Sequence, residues 1–324
     1  MKAIVYRKYG SPEVLKLEEV EKPTPGDEEI LVRVNAASIN YGDWGLLRGK
    51  PIFLRFMNGG FLAPKHNILG GDVSGRVEAI RGNGNLFQPG DEVFADLSDC
   101  GRGGFAEFVC APEDRFVQKP ANLSHQEAAA VPMAAVTALQ GIRDKGQIQP
   151  GAKVLVNGAS GGVGSFAVQI AKSFGAEVTA VCSTQNLEIA RSNGADYVID
   201  YTVEDFTRGE KRYDLIIAAN GYHPISDYDR VLSSKGVYVC TGGSLTQIFQ
   251  SMVYGPRMSS PGGKQFGNLS QTQSRDDLIF LKQLLETRKV IPVIDRCYSL
   301  SEVPEAFRYF GQGHTRGKVV ITVE

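Results

Sequence analysis

The chain has 324 residues, of which 42% are hydrophobic and 22% charged, with a formal net charge of -1. That length exceeds a single typical core and predicts two domains, and the balance is that of a folded protein. Near-neutral charge gives no broad attraction for nucleic acid or anionic lipid, and no apolar run approaches a membrane span; Ala128–Val136 is short and carries Pro132.

From Met1 the text passes straight into strand-like residues with no apolar signal core, which fits a cytoplasmic protein. The five cysteines are odd in number and form no C-x-x-C pair, so a disulfide framework is not expected. Cys182 and Cys240 lie in apolar runs and are expected inside buried strands.

Residues 1–123 are rich in short β-like runs punctuated by Gly and Pro. Ile30–Asn35 follows the turn Pro25-Gly26-Asp27, and Asp91–Ala95 overlaps a second such turn, Pro89-Gly90-Asp91. Proline fixes φ and glycine takes the strained position after it, so each triplet separates two strands. Residues 124–288 change rhythm: apolar strands at Lys153–Asn157, Glu177–Cys182, Tyr197–Tyr201, Tyr213–Ala219 and Gly236–Thr241 alternate with helical segments. Val163, Phe166, Ala167, Ile170, Ala171 and Phe174 recur at helical spacing, Thr184 is placed to cap the next helix, and Gly194 to end it. A leucine-rich helix near Asp276–Thr287 closes this block. Repeated strand–helix–strand units predict an α/β domain with a parallel sheet. Residues 289–324 return to strand-like text around a short helix capped by Ser301, and this tail is expected to rejoin the first block.

The most informative stretch is Gly158-Ala159-Ser160-Gly161-Gly162-Val163-Gly164, after a strand and opening a helix. Glycines in that context let backbone N–H groups approach a pyrophosphate at a helix N-terminus, a dinucleotide-binding signature. An acid about 20 residues beyond the glycines commonly marks NAD enzymes. Here the loop is Ser183-Thr184-Gln185, without a carboxylate and with neutral donors, which favours NADPH and leaves NADH possible; no Arg or Lys stands there either.

These features, with Ala36–Asn40, Ile68–Gly75, Pro89–Val93, Ala134–Leu139, Asp200-Tyr201 and Arg316–Ile321, resemble the medium-chain dehydrogenase/reductases, most nearly their zinc-independent quinone oxidoreductase and alkenal reductase branch. The resemblance covers essentially the whole chain. It implies a GroES-like β-rich catalytic domain, a doubly wound Rossmann domain, and a cleft between them for nicotinamide and substrate. It also implies a homodimer formed through the sheet edge near Gln265–Ser270. Thr137, Tyr201, Gly242 and Gly243 match cofactor-contacting positions, and Lys318 is assigned to the same set. Gln185 departs from the arginine common in relatives, and Tyr41-Gly42 replaces a proline-containing dipeptide. Zinc-bearing members use a Cys near residues 40–43 and a His-Glu pair near Gly71-Asp72; both are missing, as is the four-cysteine lobe, and His66 stands alone.

The expected activity is hydride transfer from NADPH to a quinone or an α,β-unsaturated carbonyl compound, without zinc. Alcohol dehydrogenation and a non-enzymatic dinucleotide-binding role stay open beside it. By the resemblance, Asn40, Tyr41 and Asp43 face the nicotinamide: Asn40 and Tyr41 as donors, Asp43 orienting a neighbour. The bland alternative has Asn40 and Asp43 fixing a loop through backbone bonds. Phe53, Phe56 and the segment Gly59–Leu62 are candidates for an apolar pocket wall or for core.

Overall fold

A computed structural model describes residues 1–57, 60–81 and 86–323, so Gly59 lies outside the described residues. The chain divides into two units, Met1–Met133 with Gln273–Glu286 and Pro292–Glu324, and Ala134–Thr272 with Thr287–Ile291.

The first unit is built on a sheet in the order Ile294–Ser299, Lys318–Thr322, Glu29–Ile39, Asp72–Ile80, Glu92–Asp96 and Val117–Gln118, with Phe108–Pro112 also paired to Glu29–Ile39. All pairs are antiparallel except Ile294–Ser299 with Lys318–Thr322. The C-terminal tail therefore does complete the first sheet. Its turns follow the expected chemistry: Gly90 sits at φ +99, where a side chain would be strained, and the Gln88 N–H donates to the Asp91 carboxylate at 2.9 Å. Ile30, Val32, Val34, Ile39, Val73, Phe105, Phe307 and Val319 share one buried core.

Two segments join this unit that the alternating text placed with the second. The helix His125–Ala129, capped by Ser124 with Glu127 three residues on, packs Ala129 and its neighbour Ala130 against Ala36 and Val320. The helix Arg275–Glu286 is tied down at both ends: Arg275 donates to the Phe116 carbonyl at 3.2 Å, and Asn122 donates to the Leu285 carbonyl at 3.0 Å. Sequence rhythm cannot reveal such long-range anchors. The short helix Val303–Phe310 is preceded by a turn capped by Ser299 with Glu302, two residues before the expected Ser301.

The second unit holds six parallel strands in the order Tyr197–Asp200, Glu177–Cys182, Lys153–Asn157, Tyr213–Ala218, Leu232–Cys240 and Gln265–Asn268. Counted along the chain, that is 3-2-1-4-5-6, with the direction reversing beside Lys153–Asn157. Ligands of such sheets bind at this reversal, outside the carboxyl ends of the strands. The helix after Cys182 begins differently from expectation. Thr184–Asn186 form a 3-10 turn before the helix Leu187–Ser192, and Thr184 makes no cap because its hydroxyl turns to Asp200.

Phe53, Phe56, Phe61 and Leu62 are all exposed, with the Phe56 and Phe61 rings 5.3 Å apart, so they belong to the surface and not to the core. Among the described residues no helix is long and apolar enough to cross a membrane.

Candidate functional site

In the second unit the fold sets the loops that carry the expected cofactor residues at the carboxyl ends of the strands. Gly158–Gly161 follows the strand Lys153–Asn157, Ser183–Gln185 follows Glu177–Cys182, Tyr201 follows Tyr197–Asp200, and Gly242-Gly243 follows Leu232–Cys240. Thr137 lies buried in the helix Pro132–Leu139.

The three spaced glycines stand in three different surroundings. Gly158 has φ +82, and a Cβ there would meet the Asn220 backbone nitrogen at 2.7 Å. A Cβ on Gly164 would lie 2.0 Å from the Gly158 carbonyl oxygen, so this glycine lets the helix close on its own loop. Gly161 has ordinary φ, and its Cβ would find only that carbonyl, at 3.6 Å. Nothing inside the unit demands glycine at 161. The helix Gly162–Ser173 starts without a side-chain cap, which leaves its N-terminal dipole for an anion. This cradle fits a dinucleotide pyrophosphate.

The loop beside it carries one feature invisible in linear text. The parallel register sets Asp200 opposite Cys182, and the Asp200 carboxylate accepts from the Thr184 hydroxyl at 2.5 Å and from the Thr202 hydroxyl at 2.7 Å. These hydrogen bonds, that from Thr184 foremost, hold its pKa below the usual range. A charge therefore does stand next to Ser183–Gln185, and Thr184 spends its proton on it. The absence of an acid from the loop itself is offset by its neighbour. Asn186 joins the two loops, donating to Ser160 Oγ and Ser183 Oγ at 3.1 Å each.

In the first unit a buried polar cluster forms where four strand ends meet. Register pairs Ser38 with Asp72 and Asp72 with Asp96, while Ile39 opposite Val319 brings Asn40 beside Lys318. Asp72 is fully buried, Lys318 is 3% exposed and Asn40 7%. The Asp72 carboxylate accepts from Asn40 Nδ2 at 2.8 Å, Ser38 Oγ at 3.0 Å, the Met133 N–H at 3.0 Å and Lys318 Nζ at 3.3 Å. The Lys318 ammonium also donates to Asn40 Oδ1. A buried ion pair is tolerated only with such full hydrogen bonding, and removing one partner typically costs about 3–5 kcal/mol.

The expected catalytic residues separate on inspection. Asn40 turns its side chain to Lys318 and Asp72, and it is also the N-cap of the helix Tyr41–Arg48, in a capping box with Asp43. Asp43 is buried and spends its oxygens on the N–H groups of Asn40, at 2.9 Å, and Gly70, at 3.2 Å, so it fixes the loop. Burial first of all pushes its pKa up, against the pull of nearby Arg102. Tyr41 is 62% exposed. Lys318, expected among the cofactor contacts, lies in the first unit with its charge engaged by Asn40 and Asp72. Asp72 and Ser38 were visible only as parts of family-like segments; the signal for them is the sheet register. All five thiols are free, and burial raises their pKa, that of Cys100 to about 12, so none is poised as a nucleophile. Among the described residues no group of three His, Cys, Asp or Glu side chains is arranged to hold a metal ion.

Comparison with known proteins agrees with this architecture. Residues 26–121 match the alcohol dehydrogenase GroES-like domain, and residues 193–321 match a family described as zinc-binding dehydrogenase. The chain is 34% identical to the chloroplast envelope quinone oxidoreductase homolog of Arabidopsis thaliana, over 99% of this chain and 98% of that one. It is 35% identical to the 2-methylene-furan-3-one reductase of Solanum lycopersicum, over 99% and 79%. The solved quinone oxidoreductase of Coxiella burnetii superposes with a TM-score of 0.89 at 29% identity, over 100% of this chain and 99% of that one. The chain belongs to the medium-chain dehydrogenase/reductase superfamily, in its quinone oxidoreductase branch.

Proposed function

We propose that this protein uses NADPH to reduce a quinone or an α,β-unsaturated carbonyl compound without a metal ion. The observation that carries the proposal is the Asn40 amide, anchored by Lys318 and Asp72, with one N–H left without a partner among the described residues. The names of the relatives favour the same substrate classes.

The cradle Gly158–Gly164 would hold the pyrophosphate, and Ser183, Gln185 and Tyr201 the adenosine end, with Thr137, Gly242 and Gly243 completing the set. When bound, the nicotinamide supplies the hydride. The residues of the chain position and stabilise. As hydride reaches the acceptor, negative charge grows on its oxygen, and the free N–H of Asn40 donates to it, strengthening as charge develops. Tyr41, exposed and unburdened by a cap or ladder role, is the candidate to deliver the final proton. Asp43 holds the loop. Ser183, a donor where an acid would repel a 2′-phosphate, favours NADPH, and Asp200 narrows the margin over NADH. Gln265–Asn268 forms an edge of the parallel sheet and would pair with its copy in a homodimer.

The test is turnover of a panel of quinones and enones with both reduced cofactors. Oxidation of NADPH dependent on at least one of these classes supports the reading. Reduction of NADP+ by simple alcohols, with no turnover of quinones or enones, would overturn it.

A further inference from the structure

We infer that Lys318 and Asp72 are positioning residues that lock the Asn40 amide in one orientation, making it a donor-only contact for the substrate oxygen. The inference rests on the role proposed for Asn40 and deepens it. An ammonium can only donate, and an ionised carboxylate can only accept. Lys318 faces Asn40 Oδ1, and Asp72 faces Asn40 Nδ2 at 2.8 Å. Turning the amide over would set its NH2 against the ammonium and its oxygen against the carboxylate, losing two charge-assisted hydrogen bonds for two repulsions.

Asp72 is itself held as an acceptor, because Ser38 Oγ and the Met133 N–H also donate to it, both at 3.0 Å. The lock is thus built from three strands and the backbone at Met133, and it leaves the second Nδ2 hydrogen without a partner among the described residues. The ammonium on the amide oxygen also draws electron density from the nitrogen, making that hydrogen a better donor. A contact of this kind selects substrates that present an acceptor oxygen, such as a carbonyl or quinone. It offers no base for an alcohol, since Asp72 is saturated with donors and Asp43 is spent on two backbone N–H groups.

The test has a structural arm and a kinetic arm. In cofactor-free, deuterated protein, the Asn40 side-chain amide is identified in 15N–1H spectra by its loss in Asn40→Ala. Its two protons should exchange with each other slowly in the wild type and in Lys318→Arg, which keeps a donor-only group. They should exchange at least tenfold faster in Lys318→Met. Because Lys318→Met strands a buried carboxylate, the double variant Lys318→Met/Asp72→Asn provides a second, charge-balanced probe and should show the same loosening. Kinetically, both variants should lose kcat at least tenfold with NADPH Kd unchanged, Lys318→Arg should restore most of it, and adding Asn40→Ala should cost nothing more. Amide exchange indifferent to Lys318, or losses that simply add to those of Asn40→Ala, would overturn the inference. A locked amide with full kcat in Asn40→Ala would refute the role of Asn40 while leaving the lock itself demonstrated.

Discussion

Replacing Gly161 by alanine separates the demands of the fold from those of the ligand. The added methyl meets nothing in the unit closer than the Gly158 carbonyl oxygen at 3.6 Å, and φ is -80, an ordinary value. Alanine restricts the unfolded chain, a gain, but is a poorer helix cap, a loss, so stability should change by less than about 1 kcal/mol. If the glycine loop holds the pyrophosphate as proposed, the methyl would crowd its approach to the N–H groups of the helix, and affinity for NADPH should fall roughly 10- to 100-fold, about 1.4–2.7 kcal/mol. Gly164→Ala is the contrast. Its Cβ would sit 2.0 Å from one backbone oxygen and 2.8 Å from the attached carbon, neither able to retreat cheaply, so the loop must shift and stability should drop by roughly 3 kcal/mol. Thermal melts and calorimetric titration with NADPH read both quantities. Wild-type affinity in Gly161→Ala would show that the glycine loop does not hold the dinucleotide, whatever the fate of Gly164→Ala.

Asn40→Ala should lower kcat ten- to a thousandfold, by order of magnitude, with NADPH affinity nearly constant, as for a lost oxyanion donor; unaltered kcat would assign Asn40 to the loop. Ser183→Asp should erase or reverse a preference for NADPH, whereas Asp200→Asn should widen it; equal wild-type affinity for both cofactors would sink the argument. Activity should persist in chelator, and loss restored by zinc would contradict the metal-free mechanism. Asp96 gives the pH prediction. Burial, then the neighbouring Asp72 charge, push its pKa from 3.8 up to about 6. A raised carboxylate favours folding least when ionised, so its penalty grows as pH climbs through that window and is complete above it. Asp96→Asn should therefore raise the melting temperature at pH 7.5, and much less at pH 4.5. A gain independent of pH would refute this account.

The sequence by itself determined what is local. Periodicity located five parallel strands, Pro-Gly-Asp marked turns, and the glycine run named its own loop, because each depends on residues within a turn or two of one another. Even the missing zinc ligands are a matter of which residue types are present. What only the tertiary structure decided is everything that depends on register and closure. The helix Arg275–Glu286 joins the first unit through partners at Phe116 and Asn122, more than 150 positions away. Asp200 charges the loop at Thr184 because two parallel strands bring it there. Lys318 meets Asn40 across 278 positions because the last strand pairs antiparallel with Glu29–Ile39. A lysine in a closing strand carries no mark of its partner in linear text; the ladder of backbone hydrogen bonds, once in register, brings its ammonium to the amide of Asn40 and the carboxylate of Asp72.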